Sequence, residues 1–318
     1  MKAKLLVAAL AATAIAAPAQ AKVSFSGQVS NIVGLGGDFN ESFNIAQNNS
    51  SGSRFRFKAE KEWGGIKVGL RHEIQDRKGP EGNNGAASAE TNASGQDDLR
   101  YSDIYFSGGF GKISIGQGDG AANGLSESYT NVGGNYFGGM DSYWFGITSI
   151  QPGSNLGFNN LDFLSRNQRI RYDSPKLNGL QLSASVRSQD GEEVALRYTG
   201  KFGGTKVVAN IGHSSTDGGD RTVGAFGILL AGGLNIAGRV GEGEGSIDTS
   251  LVSVGYRTGK FRANVEFGTS TSATGVETDG TVLGVTYAGP VLIYGQVGKF
   301  ERGAEEFSAP VVGFRMKF

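Results

Sequence analysis

The sequence contains no cysteine, only two histidines and six prolines in 318 residues, and its 30 basic residues are matched by 30 acidic ones. Without cysteine there is no disulfide scaffold, no thiol nucleophile and no Cys-ligated zinc. Two histidines are a thin supply for metal catalysis. A neutral balance, with a pI near 6.8, gives no overall attraction to phosphates, so nucleic acid is not an expected partner. Long apolar runs are missing too: the stretch Gly224 to Leu234 is too short to cross a membrane as a helix. Glycine is in excess, with 53 residues, about 17 % against a usual ~7 %. No Gly-X-Y period accompanies it, and aromatic residues reach 10 %, so the chain is neither collagenous nor low-complexity.

The first twenty-one residues read as a secretory signal peptide. Lys2 and Lys4 form a basic start, Leu5 to Ala17 an apolar core, and Ala19-Gln20-Ala21 a small-x-small cleavage site. The apolar core is short of the ~20 residues that a spanning helix needs. Removal of 1–21 leaves 28 basic against 30 acidic residues.

Beyond residue 21 helical spacing is nearly absent and strict alternation recurs, as in Arg54-Phe55-Arg56-Phe57-Lys58 and Arg262-Ala263-Asn264-Val265-Glu266-Phe267. A period of two marks strands with one apolar and one polar face. The pattern predicts sixteen strands at 22–33, 53–62, 65–76, 99–107, 110–117, 167–174, 179–188, 192–201, 205–215, 221–230, 233–242, 247–257, 261–271, 279–288, 291–300 and 307–318. Breaks after even-numbered strands are short, such as Trp63-Gly64 and Gly289-Pro290, whereas 34–52, 77–98 and 118–166 are long. Long and short connections therefore fall at opposite ends of a meander, as in an outer-membrane β-barrel with short periplasmic turns, long outer loops and an even strand number. A ten-residue strand tilted by ~45° covers roughly 23 Å, close to the ~25 Å apolar band of such barrels. Trp63, Phe110, Phe202, Phe261, Tyr287 and Phe318 gather beside the short turns, where a periplasmic aromatic girdle belongs. The other reading of these rings is the core of a soluble β-protein.

Four segments resemble the trimeric, sixteen-stranded general diffusion porins of Gram-negative bacteria, in particular the alphaproteobacterial type. They are Lys22-Val23-Ser24-Phe25-Ser26-Gly27-Gln28-Val29, Ser53-Arg54-Phe55-Arg56-Phe57-Lys58-Ala59-Glu60, Phe110-Gly111-Lys112-Ile113-Ser114-Ile115-Gly116-Gln117 and Val312-Gly313-Phe314-Arg315-Met316-Lys317-Phe318. Their order from residue 22 to 318 extends the resemblance over the whole mature chain. It implies an all-β, antiparallel transmembrane barrel whose third outer loop folds into the lumen, a homotrimer in the outer membrane, contact with lipid and lipopolysaccharide, and recognition of the terminal Phe318 by the barrel assembly machinery. The loop of the family often carries Pro-Glu-Phe-Gly-Gly, where this chain has Asn135-Tyr136-Phe137-Gly138-Gly139. Phe137, Gly138 and Gly139 persist, and the proline and glutamate do not.

By its place in that order, segment 118–166 is the constriction loop. Structureless loops beyond ~12–15 residues are uncommon unless functional or disordered. Tyr129, Tyr136, Phe137, Tyr143, Trp144, Phe145, Phe158 and Phe163 favour packing over disorder. The alternative is an outer lid touching neighbouring subunits or lipopolysaccharide. Strand parity sets the opposite wall. Phe55, Phe57 and Ala59 face lipid, because charge there costs roughly 2–4 kcal/mol at mid-bilayer, so Arg54, Arg56 and Lys58 point inward. Arg71, Arg169 and Arg171 point inward by the same rule. These cations face the loop acids Asp119, Glu127, Asp141 and Asp162, and facing charges select by charge and size. With a Debye length of ~8 Å at physiological salt, only a narrow passage discriminates, so the expected selectivity is weak.

Other motifs admit other functions. Gly116-Gln117-Gly118-Asp119-Gly120 is glycine-rich but opens no helix, which argues against a phosphate cradle. His213 and Ser214 are the only hint of a hydrolase. Asp97, Asp98, Glu305 and Glu306 are candidates for calcium, with simple hydration as the ordinary alternative; no other cofactor is expected. Three readings follow: a water-filled channel passing ions and small hydrophilic solutes, either general or selective for sugars or anions; an outer-membrane enzyme; and a structural barrel plugged by 118–166.

Overall fold

A computed structural model of the chain describes residues 21–37, 43–76, 98–127, 132–143, 147, 158, 164–188, 190–243 and 248–318. The expected leader, apart from Ala21, lies outside the described residues, as do Asp97 and Asp162.

Sequence alternation becomes a closed antiparallel sheet. β1 (Lys22–Leu35) is followed by β2 (Phe43–Gln47), β3 (Ser53–Trp63), β4 (Ile66–Asp76), β5 (Asp98–Gly108) and β6 (Gly111–Asp119). After the long loop come β7 (Arg166–Asp173), β8 (Leu180–Arg187), β9 (Glu192–Phe202), β10 (Thr205–Thr216), β11 (Gly219–Leu229) and β12 (Leu234–Gly243). The last five are β13 (Asp248–Thr258), β14 (Phe261–Thr271), β15 (Glu277–Ala288), β16 (Val291–Arg302) and β17 (Glu305–Lys317). Apart from β2 and β3, sequence neighbours pair, and β1 closes the ring on β17 from Gln28↔Lys317 to Gly34↔Val311.

β2 and β3 are two halves of one stave. β2 pairs with Asn31–Leu35 and β3 with Lys22–Gln28, so seventeen segments make a sixteen-stranded barrel. The break expected at 34–52 is thereby corrected. Phe43-Asn44-Ile45-Ala46-Gln47 alternates and pairs, while a 3-10 turn at Asn49–Ser51 interrupts the stave and projects inward. The Asn48 side chain caps that turn by accepting the Ser50 amide at 2.8 Å. In the middle of a ladder, Asn and Ser offer the backbone side-chain partners that compete with strand pairing.

Alternate residues separate the two faces. On β13, Leu251 is 5 % exposed and Val252 45 %. Because Leu251 belongs to a cluster with the loop residues Val132, Met140, Tyr143 and Phe158, the sheltered face is the lumen and the open one faces lipid. Trp63, Phe110, Phe202 and Phe261 are exposed at the short-turn end, as the girdle requires.

Candidate functional site

The loop between β6 and β7 folds into the barrel, and wall side chains hold its described backbone. A chain leaving a sheet carries amides and carbonyls with no ladder partner, and inside a barrel these must find one. At its root, Arg169 donates to the carbonyls of Gly116 and Asp119 at 2.9 and 2.6 Å. Arg171 donates to Gly120 at 2.6 Å, and Arg197 of β9 to Ala121 and Asn123 at 2.6 and 3.1 Å. Glu193, also on β9, accepts the amides of Ala122 and Leu164 at 3.2 and 3.1 Å, one from each end of the loop. Arg169 and Arg171, expected as open luminal charges, are thus anchors of the loop root; the Arg169 side chain is only 2 % exposed.

Farther along, the loop lies on the inner wall of β12 to β17. Asn135 accepts from Thr286 of β15 at 2.5 Å and donates to Asn264 of β14. The Tyr136 hydroxyl reaches the Ser50 carbonyl at 3.1 Å. Asn135 and Tyr136, which stand where the resembled family often has proline and glutamate, therefore anchor the tip. The Phe137 ring stacks on Tyr294 with centroids 4.2 Å apart. Gly138 lies against Gly284 of β15, where a Cβ would stand 2.9 Å from the Gly138 carbonyl carbon, so the close approach of the two backbones excludes a side chain on that strand. Gly139 presents its carbonyl to Gln296 of β16 at 3.1 Å. Glu266 of β14 accepts the Met140 amide at 2.9 Å.

The loop acids do not sit where the sequence expectation put them. Asp141 makes a two-pronged pair with Arg239 of β12, at 2.8 and 3.0 Å, instead of facing the basic wall. It lies on the stretch laid along β12 to β17, away from β3 and β4. Burial pushes the Asp141 carboxyl up from the ordinary carboxylate range, and Arg239 pulls it back down. Asp119 is the last residue of β6, not a loop residue, and pairs with Arg166 at 2.9 Å and with the Tyr101 hydroxyl. Glu127 is half-buried, two residues beyond Leu125, whose carbonyl accepts Asn210 of β10 at 3.0 Å.

The basic wall is a network with its own acids. Glu73 of β4 meets Arg54, Arg56 and Arg100 at 3.6, 2.5 and 2.7 Å. Asp103 of β5 meets Arg71 and Arg169 at 2.7 and 3.0 Å, and both carboxylates are fully buried. Arg71 also lies over the Tyr101 ring, 3.6 Å from its centroid, a cation–π contact. Lys58 pairs with Glu60 at 3.3 Å. Six guanidiniums, those of Arg54, Arg56, Arg71, Arg100, Arg166 and Arg169, thus surround three carboxylates, Glu73, Asp103 and Asp119. Arg100, Arg166 and Arg239 were missed in the sequence. Arg100 sits at the β4–β5 register shift after Glu73, where parity counting fails, while Arg239 needed the loop's path.

Among residues with other expected roles, His213 bonds Thr222 at 2.9 Å on the outer face of β10, while Ser214 is buried on the inner face. Adjacent strand residues cannot converge as a catalytic pair. Of the calcium candidates, Glu306 pairs with Lys299 at 3.2 Å. Phe318 pairs with Gly27 through both backbone groups, at 2.9 and 3.1 Å.

A family model described as Gram-negative porin matches residues 6–304. Comparison with curated protein sequences gave no match. Among solved structures, the fold is similar to the anion-selective porin from Comamonas acidovorans, with TM-score 0.65 and 16 % identity over 94 % of this chain and 100 % of that one. It is also similar to a loop-deletion mutant of OmpT, an outer membrane protein of Vibrio cholerae, with TM-score 0.62 and 18 % identity over 94 % and 99 % of the two chains. A mutant of the Rh. blastica porin gives TM-score 0.62 at 16 % identity, over 93 % of this chain and 100 % of that one.

Proposed function

The chain belongs to the Gram-negative porin family, outer-membrane barrels through which small solutes diffuse, and we propose that its passage is a general one with a weak preference for anions. The observation that carries this is the composition of the wall: six guanidiniums share three carboxylates, an excess of three positive charges. The Asp141 charge on the loop is already matched by Arg239, so it does not offset that excess. Fixed charge at a narrow, low-dielectric passage raises the local concentration of the opposite ion. Screening over ~8 Å at physiological salt keeps the preference modest. The similar fold of an anion-selective porin agrees with this sign.

No covalent step is needed: solutes move down their gradients through water. Residues 1–21 serve as the export leader, Phe318 as the signal to the barrel assembly machinery, and the working unit is a homotrimer bedded in lipid and lipopolysaccharide. Liposome swelling tests the reading. Vesicles containing the purified protein swell faster in a small anionic solute than in a cationic one of equal size, with a neutral sugar between. Equal rates, or the opposite order, overturn the anion preference.

A further inference from the structure

Where the barrel closes, cations outnumber acids. Arg315 and Lys317 of β17 face the lumen, and Arg54 and Arg56 do so from β3, one strand beyond β1. The register sets Gln28 of β1 opposite both Lys317 and Arg54. Neighbouring strands lie about 4.8 Å apart, so long side chains from β17 and β3 can reach one point. That point is the hydroxyl of Ser51, on the 3-10 turn inside the second stave. Its oxygen accepts from Arg315 Nη1 at 3.1 Å and Arg54 Nη2 at 3.2 Å, while Gln28 Nε2, 3.0 Å away, directs its two hydrogens to the carbonyls of Ser51 and Gly52. An uncharged hydroxyl oxygen gives both lone pairs to these two cations and neutralises neither.

Carboxylates do not fill the deficit. Glu73 is 3.6 Å from Arg54 and closer to Arg56 and Arg100, at 2.5 and 2.7 Å. Arg315 otherwise lies over the Phe137 ring, 4.7 Å from its centroid. Among the described residues no carboxylate pairs with Arg315 or Lys317, and the charged neighbours of Lys317 are Arg315, Arg54 and Arg56. Like charges held this close are destabilising unless an anion joins them. The turn that carries Ser51 is fixed from several sides. Asn48 caps it and bonds the Tyr294 hydroxyl, Tyr136 bonds the Ser50 carbonyl at 3.1 Å, and Gln28 holds the carbonyls of Ser51 and Gly52 at 2.9 and 2.8 Å.

We infer that the cluster of Arg54, Arg315 and Lys317 around Ser51 is a binding site for a compact tetrahedral oxyanion, phosphate or sulfate, entering from the lumen. The inference rests on the reading of the chain as an anion-preferring channel and names a resting place within it. Two guanidinium forks arriving from different strands, with an ammonium as third donor, match an anion carrying oxygens in several directions better than a planar carboxylate, which one fork satisfies. The Ser51 hydroxyl is free to rotate and donate to the same anion.

The test is single-channel recording on the protein purified from outer membranes, in potassium chloride with inorganic phosphate added stepwise. The expected result is a saturable fall in chloride current. In Lys317→Ala and Arg315→Lys the phosphate concentration for half-block rises about tenfold, the loss of one charged hydrogen bond. Among the described residues the Lys317 side chain makes no hydrogen bond, and its backbone pairing with β1 is kept on substitution; heat-modifiable migration on gels checks folding of both variants. A fall that saturates equally in the variants places the anion elsewhere and overturns the proposal. A current that changes linearly with phosphate overturns it as well, even where a salt gradient in chloride alone still shows anion preference; a gradient without that preference instead marks failure of the underlying reading.

Discussion

The Asp141 carboxylate and the Arg239 guanidinium meet in a two-pronged pair at 2.8 and 3.0 Å, with side chains 4 % and 0 % exposed. It ties the inward-folded loop to β12 across 98 residues of sequence. Removing one partner of such a pair leaves an uncompensated buried charge, at a cost of about 3–5 kcal/mol. Arg239→Ala and Asp141→Asn each lower the unfolding midpoint in denaturant, and the double variant recovers much of the loss. Purely additive effects of the two substitutions would show that the pair does not couple loop to wall.

The same pair predicts a response to acid. Because burial raises the Asp141 carboxyl in the docked loop, the docked state binds a proton more tightly than a released one, whose aspartate has the ordinary value of about 3.9, so acidification through that window favours docking. Open-channel current noise from the loop therefore does not rise as the pH falls toward that range. An acid-induced rise in noise that Asp141→Asn abolishes would contradict this assignment.

Gly138 predicts a steric effect on the passage. Its backbone lies on Gly284, where a Cβ would stand 2.9 Å from the Gly138 carbonyl carbon, so Gly284→Ala must lift the tip off β15. The tip has nowhere to move except into the lumen. Single-channel conductance falls in this variant, and an unchanged conductance would show that the tip does not border the current path.

Glu73 predicts a change of selectivity without a change of shape. Glu73→Gln removes the common carboxylate of Arg54, Arg56 and Arg100 while keeping the side-chain volume. The preference for anions rises at low salt and fades in ~1 M salt, where the Debye length is ~3 Å. A shift toward cations would reverse the assigned sign of the wall.

Much of this architecture is legible in the sequence, because a barrel writes its two faces into alternate residues. Parity placed Arg54, Arg56, Arg71, Arg169 and Arg171 inside, and short turns such as Trp63-Gly64 fixed the ends of the staves. Parity is a local rule, and it fails where the ladder is irregular. The half-stave at Phe43–Gln47 was read as part of an outer loop because the turn at Asn49–Ser51 looks like loop chemistry. Partners are not local either. Nothing near Asp141 points to Arg239, and nothing near Arg315 points to Ser51, 264 residues away; these meetings depend on the loop's course and on closure of β17 against β1. Arg169 shows the same limit: its direction was right, but its hydrogen bonds to the root of the loop follow only from the loop's path.

If the net positive wall beside the inward-folded loop governs permeation, the reversal potential of single channels of the purified protein across a potassium chloride gradient has the sign set by chloride, with stable conductance steps. A barrel that inserts and passes no current, or a potential of the sign set by potassium, would contradict that role of the wall.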